Sequence, residues 1–346
     1  MTGGTGGRAA DGAGGEPAVP AVHLVIVTFN RSAYLRGLLD SVLALDPAPA
    51  GVTVVDNAST DDTPEVTAAF AAAAPFPVRV ERLPVNSGGS GGFRAGVRAV
   101  LEATATEDAA WLWLMDDDVV AVPDALAAIG PFLADAGAVH GRRWDENGRP
   151  FFWQNRFNTW LGIPLPVPGD VFRSGPVTRT DVGCFEGMFL DRHTAERMGP
   201  PDARFFLTWD DAMYGWLISR TEPVTYVDRY VLRKVRPQRH VDLGVRHLND
   251  SSDLSRYHVM RNRGHVAHYL QVEHAWSRPG FAVGTALTAA KELVRLLLVE
   301  RRVGGVVPLW RGWRDSRTIL RDRTWLPEMG AAAAGTPETG TPEGDA

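Results

Sequence analysis

The strongest constraint on the fold is a regular alternation of short apolar runs and helix-like segments over about the first 130 residues. Runs rich in β-branched or aromatic residues begin at His23, Val52, Val78 and Trp111, as expected of buried parallel strands. Leucines at helical spacing follow the first run, and an alanine-rich helix follows the second. Strands that alternate with helices form a parallel sheet. The sequence therefore predicts an α/β fold with a mostly parallel sheet and helices on both faces.

Polar residues stand at the end of each predicted strand. They are Thr28 and Asn30, then Asp56, then residues 86–92, then residues 116–118. In open α/β sheets, ligands bind beyond the carboxyl ends of the strands. Polar residues end strands in many proteins, so each of these positions alone is weak evidence for a ligand site. Together they favour a ligand crevice.

The fourth run, WLWLM, delivers Asp116, Asp117 and Asp118 to its end. Three adjacent carboxylates repel one another unless a cation neutralises them. Alternation along an extended chain puts Asp116 and Asp118 on the same side. Such a pair suits Mn²⁺ or Mg²⁺. Phosphate oxygens and water would complete the coordination shell of the ion. A solvated acidic turn is the alternative, and the apolar strand before the aspartates favours metal binding.

A glycine-rich segment, NSGGSGGFRAG, spans residues 86–96 and opens a predicted helix. Glycines let backbone N–H groups approach a pyrophosphate, which the helix dipole also favours. The predicted nucleotide contacts in it are Asn86, Gly88, Gly89 and Gly92. Arg94 is either a phosphate partner or a surface charge. No Gly-Lys-Ser/Thr follows, so this is not a P-loop, and a flexible surface loop is the alternative.

Two further pairs of polar residues are candidates for the site. Asp56 and Asn57 can hydrogen-bond a base or ribose, although Asp-Asn is also a common turn dipeptide. In FFLTWDDAMYG, Trp209 precedes Asp210 and Asp211 at a predicted helix start. The aspartates are either helix caps, or a general base and its orienting partner, with the aromatic neighbour raising one pKa.

Composition limits the compartment and the partners. The formal net charge of the 346 residues is −5, so no global charge favours nucleic acid. Cys184 is the only cysteine, which excludes an internal disulfide and a cysteine zinc cage and suits the cytoplasm. Residues 1–20 lack the pattern of a secretory signal and predict a disordered leader, and residues 327–346 predict a disordered tail.

These motifs resemble glycosyltransferase family 2, specifically its bacterial galactofuranosyl- and rhamnosyltransferases. The motifs VTFNR, VVDNASTDDT, NSGGSGGFRAG, LMDDD and WDD occur in that family's order. The resemblance implies a GT-A type, Rossmann-like domain over residues 21–250. Its nucleotide-binding half would cover residues 21–135 and its acceptor-binding half residues 136–250. A helical, basic region would follow over residues 251–326.

The resemblance also implies roles for individual residues. Thr28, Asn30 and the Asp56 region would hold the nucleotide, with Asp117 beside it. Asp116 and Asp118 would hold the metal.

In the acceptor half, Asp211 would deprotonate the acceptor hydroxyl, while Glu186 and Trp209 would line the acceptor and sugar pockets. The implied reaction is an inverting, metal-dependent transfer from UDP-galactofuranose, or alternatively from dTDP-rhamnose. The acceptor would be a cell-wall glycan on a prenyl diphosphate.

One departure from the family concerns its histidine metal ligand, which relatives often place further along the chain from the catalytic aspartate. This region reads VLRKVRPQRH, with Arg233 or Lys234 near the expected place and His240 next downstream. His240 is the predicted third ligand. Otherwise Arg233 or Lys234 would help to hold the diphosphate.

The C-terminal region mixes apolar and cationic residues. They are Leu293, Leu296, Leu297, Arg301, Arg302, Trp310, Trp313 and Arg314. Such a region can lie on an anionic bilayer, here the inner face of the cell membrane. Helices packed on the domain, or on a second subunit in a homo-oligomer, are the alternative.

Three rival functions remain. A nucleotidyltransferase and a nicotinamide enzyme would both carry a glycine-rich loop after the first strand, and VTFNRSAYL has none. A sugar-nucleotide or lipid-binding scaffold without turnover would not need Asp116, Asp118 and Asp211 together.

Overall fold

The computed structural model describes residues 20–107, 109–151, 153–236, 240–242, 247–249 and 252–330. The strands are β1 (Ala21–Thr28), β2 (Gly51–Asp56), β3 (Val78–Arg82), β4 (Ala110–Asp116), β5 (Val119–Ala121), β6 (Ala138–Trp144), β7 (Pro150–Phe151), β8 (Asn155–Asn158), β9 (Ile163–Pro166), β10 (Val177–Thr180), β11 (Met188–Asp191), β12 (Val224–Lys234), β13 (His240–Asp242) and β14 (His247–Asn249). The α-helices are α1 (Ser32–Leu43), α2 (Thr63–Ala73), α3 (Gly88–Ala103), α4 (Ala125–Ile129), α5 (Arg192–Met198), α6 (Asp210–Ser219), α7 (Asp253–Arg261), α8 (Arg263–Val272), α9 (Arg278–Val294) and α10 (Val306–Arg321). Residues 1–19 of the predicted leader and 331–346 of the predicted tail lie outside the described residues.

One large sheet has the order β10-β12-β6-β11-β4-β1-β2-β3, with β5 paired to β12 and β7 to β6. Neighbours β4, β1, β2 and β3 are parallel. β11 is antiparallel to both β4 and β6, so β6 and its parallel neighbour β12 run in the direction of β4. Within this row β10 and β11 run the opposite way. The predicted α/β fold with a mostly parallel sheet is confirmed.

The alternation of side chains along β1 explains why both faces of the sheet are covered. Val25 and Val27 pack with α3 in one buried cluster, while Leu24 and Ile26 pack with α1 in the other. Successive side chains of a strand point to opposite faces, so an entirely apolar strand needs a helix on each side. The helices on both faces were predicted correctly.

The segment DVGCFEGMFLD, residues 181–191, is a strand only in its last four residues. β-structure is confined to β11, and the preceding residues form a loop. Gly183 packs so closely on the first turn of α6 that a Cβ there would overlap the backbone oxygen of Asp211. Gly187 has φ of +102°, which is also incompatible with a regular strand. This loop carries Glu186.

The C-terminal part is helical, as predicted. α10 packs against α7 and α8, where Tyr257 Oη donates to Asp315 (2.9 Å) and His268 Nε2 lies 2.7 Å from the backbone oxygen of Ile319. Among the described helices, none combines the length and the apolar character required to cross a bilayer. Beyond α10 the chain returns to the sheet domain, where Met329 is buried.

Candidate active site

Three carboxylates come together just beyond β4. One oxygen each from Asp116, Asp118 and Glu186 lies within 4.8 Å of the others. The two aspartates come from the end of β4 and the residues after it, and Glu186 comes from the loop before β11. Glu186, which the family resemblance implied for the acceptor pocket, thus lies beside the two candidate metal ligands. This cluster was not foreseen, because nothing in the sequence marks Glu186 as a neighbour of β4.

The cluster fits a hard divalent cation. Among the described residues, none donates a hydrogen bond to the Asp116 carboxylate or forms an ion pair with it. Burial raises the pKa of Asp116 well above its ordinary value, and the charges of Asp118 and Glu186 add to this effect. A buried carboxylate among other carboxylates is costly in its charged form, and a bound cation reverses that cost. These residues therefore suit Mg²⁺ or Mn²⁺, which both prefer oxygen ligands.

Two cationic side chains hold Glu186. Arg143 donates to its Oε1 (2.6 Å) and Lys234 to its Oε2 (2.7 Å). Burial alone would raise the pKa of Glu186, but Lys234 and Arg143 outweigh it and keep the pKa below its ordinary value. The sequence suggests Lys234 only as a partner of the diphosphate, and it gives no signal for Arg143, which stands beside Arg142 in β6.

Asp117 is held separately from the cluster. It is buried, and it accepts hydrogen bonds from Thr28 Oγ1 (2.8 Å) and Arg31 Nη1 (3.0 Å). Thr28 and Asp117, both predicted as nucleotide contacts, therefore bind each other. Arg31 Nη1 also lies 3.5 Å from Asp118 Oδ2. Arg31 thus joins the site, although sequence reasoning did not select it.

The predicted third metal ligand, His240, begins β13, but its side chain lies outside the described residues. The preceding segment does reach the cluster, since Arg236 Nη1 lies 3.9 Å from Asp118 Oδ2.

The side chain of Asn57 fixes the start of the glycine-rich segment. Its Oδ1 accepts from the backbone N–H of Ser87 (2.9 Å), and its Nδ2 donates to the backbone oxygen of Gly88 (2.8 Å). Asn86 Oδ1 also accepts from the N–H of Gly88 (2.9 Å). Both amide ends of Asn57 are therefore bonded to this loop. The sequence had suggested a base or ribose as its partner.

The predicted glycines have different surroundings. Gly88 has φ of +73°, and a Cβ there would overlap the backbone oxygen of Phe206. Gly92 lies inside α3 and packs directly on Val27 of β1. A Cβ at Gly89 would meet no atom within 4 Å. Of the three, Gly89 alone leaves space for a ligand, while Gly88 shapes the turn and Gly92 permits close helix–sheet packing.

The loops after β1 and β2 are tied together. Asn30 Oδ1 accepts from the N–H of Thr60 (2.7 Å), and its own N–H donates to Ser59 Oγ (3.0 Å). Asp56, which is buried, accepts from the N–H of Ser59 (2.8 Å). Asn30 and Asp56 thus lie at neighbouring strand ends, as the parallel sheet requires.

Arg94, the predicted phosphate partner, is paired elsewhere. Its Nη1 donates to Glu328 Oε2 (2.7 Å) and to the backbone oxygen of Pro201 (3.3 Å). Glu328 lies in the segment after α10, within the predicted tail. Arg94 therefore joins the helix α3 to the C-terminal part of the chain.

The first turn of α6 presents two aspartates. Asp210 Oδ2 accepts from Ser90 Oγ of α3 (2.7 Å), and Asp211 Oδ1 accepts from the N–H of Ala212 (2.7 Å). Burial, followed by the charge of Asp210, raises the pKa of Asp211 to about 7, and Arg143 opposes part of this rise. Burial also raises the pKa of Asp210. A carboxyl group with a pKa near neutrality can accept a proton at physiological pH.

Trp209 lies directly before these aspartates in a left-handed conformation, with φ of +73°. Its Nε1 donates to the backbone oxygen of Val259 in α7 (2.9 Å), and the Arg263 guanidinium lies 5.4 Å from the ring centre. The indole is therefore held by the C-terminal helices and is only partly exposed.

A Rossmann-like sheet with an acidic cluster after its fourth strand, and two buried aspartates with raised pKa values at a helix start, is typical of the GT-A fold. The crystal structure of Staphylococcus aureus TarS (residues 1–349) has the same fold, with a TM-score of 0.52 and 14% identity over 87% of this chain and 81% of that chain. Residues 23–191 match the family model of glycosyl transferase family 2. This match, together with the distant relatives described next, supports a family 2 glycosyltransferase.

The relatives include galactofuranosyltransferase GlfT1 of Mycolicibacterium smegmatis, which is 28% identical over 204 residues, or 55% of this chain and 62% of that protein. The match thus spans less than two thirds of that relative's length. Galactofuranosyltransferase GlfT1 of Mycobacterium tuberculosis H37Rv is 27% identical over 273 residues, or 71% of this chain and 82% of that protein.

Proposed function

We propose that this chain is an inverting, metal-dependent galactofuranosyltransferase that uses UDP-galactofuranose. The observation that carries the proposal is the acidic cluster of Asp116, Asp118 and Glu186 together with Asp211, whose pKa is raised to about 7. The cluster is suited to hold a cation that binds the diphosphate of a donor, and Asp211 is suited to act as the general base. Galactofuranose is favoured because both GlfT1 relatives are galactofuranosyltransferases.

In this proposal Asp116, Asp118 and Glu186 would hold Mn²⁺ or Mg²⁺. When bound, the ion would neutralise charge on the departing diphosphate. Arg31 and Arg236 are partly exposed beside Asp118. Their guanidinium groups are suited to phosphate oxygens and would hold the same leaving group.

The nucleotide would lie along the ends of β1, β2 and α3. Asn30 and Asp56 line the strand ends, and the open position of Gly89 lies in the first turn of α3. A helix N-terminus offers unpaired N–H groups and the positive end of its dipole to a phosphate. The diphosphate would therefore approach α3 through Gly89.

The acceptor hydroxyl would lie beside Asp211 and transfer its proton to that carboxylate. As the proton leaves, the hydroxyl oxygen bonds to the anomeric carbon, and the bond from that carbon to the diphosphate oxygen breaks. UDP departs on the opposite face, so the anomeric configuration inverts. Asp210, bonded to Ser90, keeps the start of α6 beside α3.

The acceptor would be a cell-wall glycan carried on a prenyl diphosphate, reached at the inner face of the cell membrane. The support is an exposed apolar surface on the C-terminal helices. Its residues are Val283, Leu287, Leu293, Val294, Leu297, Leu298, Val303, Val306, Val307, Trp310 and Trp313. Arginines alternate with these residues along α10. A surface of this kind binds anionic bilayers without crossing them.

Isothermal titration of UDP and of dTDP, each with and without Mn²⁺, tests the proposal. The wild type is compared with Asp118→Ala and with Asp124→Ala, which removes an exposed aspartate nearby. We expect Mn²⁺-dependent binding of UDP that Asp118→Ala abolishes and Asp124→Ala preserves. If dTDP binds instead of UDP, the proposed donor becomes dTDP-rhamnose. Binding of neither nucleotide would overturn the transferase and favour a scaffold.

The stereochemistry is tested separately with UDP-galactofuranose and a synthetic galactofuranosyl acceptor. We expect a product whose anomeric configuration is opposite to that of the donor, read from NMR coupling constants. Retention of configuration would contradict a single displacement by an acceptor that Asp211 deprotonates.

A further inference from the structure

The residues before α6 form a short segment in an unfavourable backbone conformation. Phe206, Thr208 and Trp209 have φ of +62°, +68° and +73°. L-residues seldom adopt this left-handed region, and they remain there only where the surrounding structure holds them. Trp209 is followed directly by Asp210 and Asp211. The conformation of residues 206–209 therefore sets the position of both carboxylates.

Asn262 holds this segment. It is fully buried at the junction of α7 and α8, and its Nδ2 lies within hydrogen-bonding distance of three backbone oxygens in residues 205–208. The accepting oxygens belong to Phe205 (2.8 Å), Leu207 (2.8 Å) and Thr208 (3.0 Å). An amide NH₂ group has two hydrogens, so the three carbonyl groups share them. One side chain thus holds two of the four backbone oxygens of the segment, together with that of the preceding Phe205.

Residues near Asn262 in the chain contact a side chain of the same segment, that of Trp209. Val259 accepts from the Trp209 indole, and the buried Arg263 lies over that ring. On the other side, the backbone oxygen of Phe206 accepts from the N–H of Ser90 (3.2 Å). The segment is therefore clamped between the glycine-rich helix and the α7–α8 junction.

We propose that Asn262 is a positioning residue of the reaction: it fixes residues 206–209 and thereby holds Asp211 where it accepts the acceptor's proton. This inference rests on the proposed function. It also makes the C-terminal helices part of the catalytic machinery, independently of any membrane contact. Asn262 lies outside the acidic cluster and acts through the backbone of the segment.

The test compares Asn262→Ala with Tyr257→Phe. Tyr257 is in α7, which ends just before Asn262, and it donates to Asp315 of α10 (2.9 Å), so its variant removes a C-terminal hydrogen bond outside the clamp. We expect Asn262→Ala to lower kcat by about 100-fold, the scale of a small misplacement of a catalytic group. The KM for the donor should stay within about twofold, because Asn57 and Asn86 also hold the start of α3, where the donor would bind. Tyr257→Phe should leave both constants unchanged.

Hydrogen–deuterium exchange supplies a readout that does not depend on activity. The peptide covering residues 205–211 should lose protection in Asn262→Ala and keep it in Tyr257→Phe. An unchanged kcat, a fall in kcat shared by both variants, or unchanged exchange would overturn the inference. If the wild type transfers no sugar, the proposed function fails and exchange alone decides the positioning role. If Asn262→Ala does not fold, Asn262→Ser, which keeps one donor, must show the same results.

Discussion

The ammonium nitrogen of Lys234 lies 2.7 Å from Oε2 of Glu186, inside the cluster that contains Asp116 and Asp118. Arg143 occupies the other oxygen of the same carboxylate at 2.6 Å. Both oxygens of Glu186 are therefore bonded to cations, whereas Asp116 has no such partner among the described residues. Lys234 also lies near the place where the family resemblance implied a histidine. A protein cation thus stands beside the proposed metal ligands.

Lys234→Met should strengthen the binding of Mn²⁺ in the absence of nucleotide. Two cations a few ångströms apart in a partly buried site repel each other by several kcal/mol, so we expect about a tenfold gain in affinity. Lys234→Arg, which keeps the charge, serves as the control. Titration calorimetry measures the effect, and unchanged or weaker binding in Lys234→Met would contradict it.

The pH profile of kcat/KM should fall on the acid side with a midpoint near pH 7. Burial and the charge of Asp210 raise the pKa of Asp211 to about 7, and the protonated carboxyl cannot accept the acceptor's proton. Below the midpoint, activity should drop about tenfold per pH unit. Asp211→Asn should reduce kcat by at least about 1000-fold and leave no pH-dependent limb. A profile that is flat between pH 5 and 8 argues against Asp211 as the base.

Asp211→Asn should also raise the melting temperature at pH 8 while leaving it unchanged at pH 4. The folded protein holds the pKa of Asp211 at about 7 against an ordinary 3.8, so it binds this proton more tightly than the unfolded chain does. Stability from this group is present below pH 4 and is lost as pH rises through 7. Asparagine carries no charge and avoids the loss. Scanning calorimetry at both pH values measures the melting temperature, with Asp124→Asn as the exposed control. An equal melting temperature of Asp211→Asn and the wild type at pH 8 would contradict the prediction.

Gly88→Ala and Gly89→Ala should separate folding from ligand binding. Alanine at Gly88 would overlap the backbone of Phe206 and would have to adopt a φ of +73°. We therefore expect a loss of about 2 kcal/mol or more in unfolding free energy. Alanine at Gly89 meets no atom within 4 Å, and stability should be nearly unchanged. Any loss of UDP affinity in Gly89→Ala then reports contact with the nucleotide. Equal stabilities of the two variants would contradict this division of roles.

Substitutions on the exposed apolar surface should weaken membrane binding. Leu297 is 61% exposed and Trp310 54% exposed, and each buries apolar area if the surface enters the interface. Leu297→Glu and Trp310→Glu should each reduce cosedimentation with phosphatidylglycerol vesicles by about tenfold. Val177→Glu, on the edge strand β10, is the matched control. If Val177→Glu loses cosedimentation equally, or if no variant loses it, the surface does not bind membranes. Packing against a second subunit would then be the favoured role of this surface.

Much of the nucleotide half was predictable from local sequence pattern. Apolar strands and leucine spacing specify β1, α1 and β4, because side-chain periods of 2.0 and 3.6 are properties of the backbone itself. The convergence of Asn30 and Asp56 follows from parallel strands in sequence order. Helix α3 begins at Gly88, inside the glycine-rich segment, although glycine by itself disfavours a helix. In the structure, hydrogen bonds from Asn57 and packing on β1 let those glycines enter the helix.

Local sequence pattern is sufficient to predict the parallel strands, the position of Asp116 and Asp118 at a strand end, and the position of Asp211 at a helix start. The approach of Glu186 to the aspartates and the contact of Asn262 with the segment before Asp211 depend on the packed fold. Glu186 is bonded to residues 43 and 48 positions away, and Asn262 to residues 54 to 57 positions away. Such contacts depend on strand order and helix docking. No local periodicity encodes them, because the partners meet only after the elements between them have packed.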